Sequence, residues 1–221
     1  MTALVFPGLG RDARDFAELG IPTLSLPVLG HPADPGGCAP AGSLIPDLAQ
    51  TVARAAELAQ AHLAGAKGGR LDVVAHSMGA YPAECFIRLY PHLVRHCVLI
   101  DPSVAELSTD ALNPRRQRAC ANISRYLPLS KRLRATFIHN WNYQRWGRQT
   151  WGLRAGQPSP VSILLITAAP AHGSADWVAA HSRLAARLGA RHTVIEGQGH
   201  MVLVQAPELV RQAIAEAGFL A

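Results

Sequence analysis

Lysine is almost absent from this chain. Of its 21 basic residues only Lys67 and Lys131 are lysines, so the formal charge of +6 over 221 residues is an arginine charge. It is also unevenly placed: between Asp101 and Pro160, ten basic residues stand against three acidic ones, a local +7, and the remainder is close to neutral. A nucleic-acid module would carry such charge on a recognition motif, and none accompanies it here, so no nucleic-acid partner is expected. Cysteine is sparse too. Cys38, Cys85, Cys97 and Cys120 form no C-x-x-C pair, and Cys85 and Cys97 lie in apolar contexts that read as buried thiols, so neither a structural disulfide nor a metal site is expected. His92 and His96 stand four apart but lack the H-E-x-x-H glutamate and follow Pro91, which argues against a metal pair. No apolar run approaches the ~18 residues of a membrane span. The first residues, MTALVFPGLG, have no basic flank and lead into a glycine turn, so they read as a strand and not a signal peptide, and a cytoplasmic location is expected. What the chain has is 49% hydrophobic and 16% charged residues, enough for one large domain with a core.

The stretch Leu71 to Tyr81, LDVVAHSMGAY, organises the rest. An apolar, β-branched run stops at His76-Ser77-Met78-Gly79 and gives way to a helix-like segment reaching Tyr90. Strand, sharp turn and helix with a serine at the apex lift a hydroxyl clear of its neighbours, and the strain of that turn demands small residues two before and two after it. Ala75 and Gly79 meet that demand. A buried serine at an ordinary strand-to-helix turn is the plainer alternative. Pro82, early in the following helix, puts the helix start in question because proline lacks the amide hydrogen a helix uses.

On these residues the chain resembles the α/β-hydrolase family, whose G-x-S-x-G motif stands here as A-H-S-M-G. The resemblance implies a mostly parallel open sheet with helices on both faces, a serine nucleophile, and a base and acid following in the order Ser, Asp or Glu, His. The remaining pattern agrees. Apolar runs at 3–6, 22–27, 71–75, 97–100, 161–167 and 192–195 alternate with helical stretches at 12–19, 43–63, 177–188 and 207–217, which predicts about six parallel strands in an α/β fold. By resemblance, the first of these falls where the family's third strand lies, so a sheet lacking the two leading strands is expected. Residues 103–160 break the rhythm and hold Tyr126, Trp141, Tyr143, Trp146 and Trp151 among the arginines. By resemblance they form a helical cap inserted in a core of 1–102 and 161–221.

Gly8, Gly10 and Ala13 match the dinucleotide pattern G-x-G-x-x-A after a strand, but the next strand ends in Val28-Leu29-Gly30-His31 without the acidic residue that would hold a ribose. No nucleotide or other cofactor is expected. By resemblance, this loop instead supplies half of an oxyanion hole, the backbone N–H of Leu9, with the N–H of Met78 as the other half. His200, in GQGHMVLVQAPE, is similar to the family's histidine loop and is the expected base. Asp176 follows the strand at 161–167 and is the expected acid, with capping of the helix at Trp177 as its plainer role; Asp101, at the end of the preceding sheet strand, is the alternative.

The expected activity is a serine hydrolase acting on a carboxylic ester or thioester through an acyl-enzyme. The alternatives are the same fold acting on an amide or carbon–carbon bond, or a catalytically weak ligand-binding protein. Trp141, Tyr143 and Trp146 are candidates for the wall of a pocket for a small acyl substrate, with arginines suited to an anionic head group; equally, they form the cap's own small core. Acyl length and oligomeric state lie beyond the sequence.

Overall fold

The computed structural model describes residues 2–26, 48–65, 69–104, 143, 145–150, 152–153, 157–172 and 174–220. The apolar runs become strands β1 (Ala3–Phe6), β2 (Thr23–Ser25), β3 (Leu71–His76), β4 (Val94–Ile100), β5 (Ser162–Ala169) and β6 (Arg191–Glu196). All pair in parallel in one sheet of order β2-β1-β3-β4-β5-β6, as expected. Every residue of β3 is buried, the condition of a central strand covered on both faces, and this is why its sequence shows no polar alternation.

Alternate residues of each strand serve two cores. Leu4, Phe6, Val73, Ala75, Leu99 and Leu165 point to one face, where α1 (Leu48–Leu63), α2 (Ala80–Leu89) and α3 (Ala175–Leu188) pack. Val5, Val74, Val98, Ile100, Leu164 and Ile166 point to the other, against the 3-10 helix Ala13–Leu19, the short α4 (Val202–Gln205) and α5 (Pro207–Glu216). Each fully buried leucine or isoleucine contributes roughly 1.5–3 kcal/mol relative to exposure. Among the described residues, no helix is long and apolar enough to cross a membrane. Cys85 and Cys97 are buried and joined in no disulfide; Cys38 and Cys120 lie outside the described residues.

The chain runs from β1 outward to β2 and then returns to place β3 on the other side of β1. The strand order therefore reverses between β1 and β3, and in open parallel sheets the crevice beyond the carboxyl ends at such a reversal is the usual ligand site. β1 ends there at Phe6, followed by Pro7-Gly8, and β3 ends at His76, followed by Ser77.

Candidate active site

Ser77 follows the last residue of β3 directly and has φ 55, in the left-handed region that a non-glycine residue adopts only under constraint. A 3-10 turn, Ser77–Gly79, leads into α2. The constraint is visible at Gly79: a Cβ there would lie 2.0 Å from the Phe6 carbonyl oxygen and 2.7 Å from that of Pro7. The end of β1 thus occupies the space a side chain would need, and Ala75, fully buried, is the small residue on the other flank. Gly79→Ala is expected to destabilise the fold by about 3 kcal/mol, lowering Tm by roughly 10 °C; a thermal melt superimposing on wild type would contradict this packing. Pro82 lies in the first turn of α2, where amide hydrogens have no partner within the helix, so its missing N–H costs nothing.

Three side chains from three strand ends meet at this apex. His200 Nε2 is 2.8 Å from Ser77 Oγ, and His200 Nδ1 is 2.5 Å from Asp101 Oδ2. A carboxylate only accepts, so Nδ1 carries the proton and the Nε2 lone pair receives the Ser77 hydroxyl. The other carboxylate oxygen, Oδ1, accepts from the Trp177 indole N–H and from the Ala168 amide, each at 2.9 Å. Asp101 is 1% exposed. Burial pushes its carboxyl up, and the hydrogen bonds from His200, Trp177 and Ala168 outweigh that and hold it below the ordinary carboxylate value.

The carboxylate against His200 is therefore that of Asp101, not the expected Asp176. β5 runs on to Ala169 and α3 begins at Ala175, so Asp176 falls within the first turn of a helix and is exposed. It does not cap that helix either, since the N-cap is Ser174. Asp101 is placed by register: His76 pairs with Ile100 across β3 and β4, so Ser77 and Asp101 leave adjacent strands at the same level. Asp101, too, has positive φ, 43°.

A set of buried and half-buried polar groups near the site escaped the sequence reading. His76 Nε2 is 2.9 Å from the His200 carbonyl oxygen. His181 Nε2 is 2.7 Å from the Pro102 carbonyl, while Thr167 Oγ1 lies 2.8 Å from His181 Nδ1 and 2.7 Å from His192 Nε2. The carbonyls fix the direction of these bonds: His76 and His181 donate from Nε2, Thr167 donates to His181 Nδ1, and His192 donates to Thr167. Burial lowers His76 and His181 to about 4 each, and lowers His192 as well, so these rings are neutral at pH 7. They come from four separate elements, with no sequence spacing to announce them.

A cavity of about 590 Å³ opens over Ser77, within the range of small-ligand sites. Leu9, Tyr143, Pro170, Trp177 and Met201 line it together with His76, Ser77, Asp101 and His200. Leu9, expected at the oxyanion position, is on this wall, and Gly8 beside it faces His76 and Ser77, whose atoms a Cβ would meet at 2.9 and 3.1 Å. Met78 is buried one residue past the nucleophile. Of the expected pocket aromatics, Tyr143 lines the cavity, its ring edge-on to Tyr81 at 5.7 Å. Trp146 instead belongs to the hydrophobic core at 2% exposure, and Trp141 lies outside the described residues. Arg11 is the arginine of the cavity wall, and its guanidinium is forked on Asp15. His92 and His96 fall on a 3-10 turn and on β4, not on one helix face.

A profile described as the alpha/beta hydrolase family matches residues 3–213. No curated protein matches the chain in sequence. Among solved structures, it is similar to a probable hydrolytic enzyme of Pseudomonas aeruginosa (20% identity, 97% of this chain and 84% of that one, TM-score 0.62). It is also similar to a peroxisomal alpha-beta-hydrolase of Saccharomyces cerevisiae (14%, 98% and 76%, TM-score 0.68) and to a carboxylesterase of Bacillus subtilis (15%, 97% and 82%, TM-score 0.57). At these identities the likeness is one of fold.

Proposed function

The chain belongs to the alpha/beta hydrolase family, and from that premise we propose that it is a serine hydrolase cleaving a carboxylic ester or thioester through an acyl-enzyme. The observation that carries this reading is the unbroken relay from Ser77 through His200 to the buried Asp101 at the floor of a cavity. In the first half-reaction His200 Nε2 takes the Ser77 proton while Oγ bonds to the substrate carbonyl carbon. The oxyanion is held by the N–H groups of Leu9 and Met78, worth roughly 3 kcal/mol each in such sites. His200 then gives its proton to the departing alcohol or thiol as the bond to it breaks. In the second half-reaction, water loses a proton to His200, attacks the acyl carbon, and releases the acid as Oγ regains its proton. Asp101 holds the Nδ1–H tautomer and stabilises the imidazolium.

Among the described residues of the cavity wall the arginine is Arg11, and its guanidinium is matched by Asp15. Of the insertion at 103–160, the described residues Ser103 and Tyr143 lie on the cavity wall, which supports its reading as a cap. The carboxylesterase of Bacillus subtilis shares this fold and adds weight to an ester substrate. The test is labelling of the purified protein by a fluorophosphonate probe, beside turnover of p-nitrophenyl acetate, butyrate and octanoate. Wild type is expected to label and turn over, and Ser77→Ala to do neither. A wild type that takes no label would overturn the serine-hydrolase reading.

A further inference from the structure

His200 does not sit on a regular element. It occupies the turn Gly197-Gln198-Gly199-His200-Met201, between the end of β6 and the first residue of α4, and its side chain is 47% exposed. One end of this turn is tied to the sheet by the Gly197 amide on the Ala169 carbonyl (2.8 Å), and the other folds on itself through Val202 N–H to Gly199 O (2.9 Å). Both glycines leave the backbone unusually free to rotate, and Gly199 has nothing near the position its Cβ would take. A base on such a turn must still hold Nε2 at 2.8 Å from Ser77 through a full catalytic cycle.

We propose that His76 is the positioning residue of this site: it anchors the backbone of His200 through its Nε2–H bond to the His200 carbonyl, and so sets the base against the serine next to it in sequence. The inference rests on the serine-hydrolase reading above. Four observations carry it. The bond, 2.9 Å, joins residues 124 apart in the chain and lands on the base itself. His76 is 2% exposed and ends the central strand, so the anchor is rigid. Its ring lies 5.0 Å from the His200 ring, tilted by 33°, so the two imidazoles are direct neighbours. On its other side it meets Gly8, so one imidazole touches both the base turn and the loop after β1. Burial keeps His76 uncharged, which matters because a second cation at 5.0 Å would oppose the imidazolium that His200 must become.

A donor at this position is the requirement, not a histidine as such. His76→Met keeps the bulk without the donor; His76→Gln places an amide N–H near the position of Nε2; His76→Asn is equally polar but too short to reach. The loosened base is expected to cost about 100-fold in kcat for p-nitrophenyl butyrate in the Met and Asn variants, with KM within about twofold, because a misplacement of the order of 1 Å carries that penalty. The Gln variant is expected to recover to within roughly fivefold of wild type, and the rate of fluorophosphonate labelling to follow the same order. Should the Met variant not fold, as judged by circular dichroism, the Gln and Asn pair alone decides. Equal rates for Gln and Asn, or a folded Met variant labelling at the wild-type rate, would overturn the anchor while leaving the serine-hydrolase reading intact. A wild type that takes no label removes both.

Discussion

Asp101→Asn is expected to lower turnover of p-nitrophenyl butyrate by about 10⁴-fold, while Asp176→Asn stays within about twofold of wild type. The size of the first effect follows from the donors around the carboxylate. Trp177 Nε1–H and the Ala168 amide both aim at Oδ1, so an asparagine must put its carbonyl oxygen there and turn its NH₂ toward His200. His200 Nδ1 then has to accept, and the ring proton moves to Nε2, where it faces the Ser77 hydroxyl instead of receiving its proton. The imidazolium also loses its counter-charge. The fold should survive, since shape and hydrogen-bond number are kept, and a circular dichroism spectrum on the same samples checks that. Loss of activity in Asp176→Asn with Asp101→Asn active would reverse the assignment.

The second large effect is in stability. His76 and His181 have folded-state values of about 4, against about 6.5 in an unfolded chain. Between those values the unfolded state binds more protons than the folded one, so stability is complete above pH 6.5 and falls as the pH drops toward 4. Each ring contributes a loss of roughly 3 kcal/mol over that window, and the two together roughly 6 kcal/mol between pH 7 and pH 4. Asp101 adds to this at the acid end: its lowered carboxyl stabilises the fold above the unfolded carboxylate value, and that contribution is lost as the pH falls through the folded one. With total stabilities of about 5–15 kcal/mol for ordinary domains, the protein should approach unfolding near pH 4. Urea unfolding at pH 7.5, 6, 5 and 4.5 measures it; a midpoint that does not move over this range would contradict the neutral state of the two buried rings.

Ser77 and His200 were legible because each carries a local signature. The elbow needs small residues at fixed offsets, and a histidine between glycines and an apolar run after the last strand has few other uses. The parallel sheet was legible because continuous apolar runs between helical stretches have one economical arrangement. The acid was not, since the choice between Asp101 and Asp176 depends on where two strands end. β5 extends two residues past Thr167 and α3 starts two before Trp177, which takes Asp176 out of the loop and into a helix. Only the β3–β4 register puts Asp101 level with Ser77. Trp146 shows the same limit: in a segment without clear periodicity, a wall residue and a core residue look alike. The bonds of His181, Thr167 and His192 to one another, and of His76 to the His200 turn, form only after separate elements have been brought together.

The wide spacing of the reacting groups along the chain orders events in time. Ser77 and Asp101 directly follow neighbouring strands, but His200 comes 123 residues after the serine, on the turn after the last strand in the chain. On a ribosome the serine therefore emerges long before its base. A nascent chain carries an alcohol no more reactive than any other, and cannot acylate itself on passing metabolites. On the proposed reading, reactivity requires β6 and the turn after it to be in place, so capture of a covalent probe is expected to mark chains in which that end of the sheet has formed.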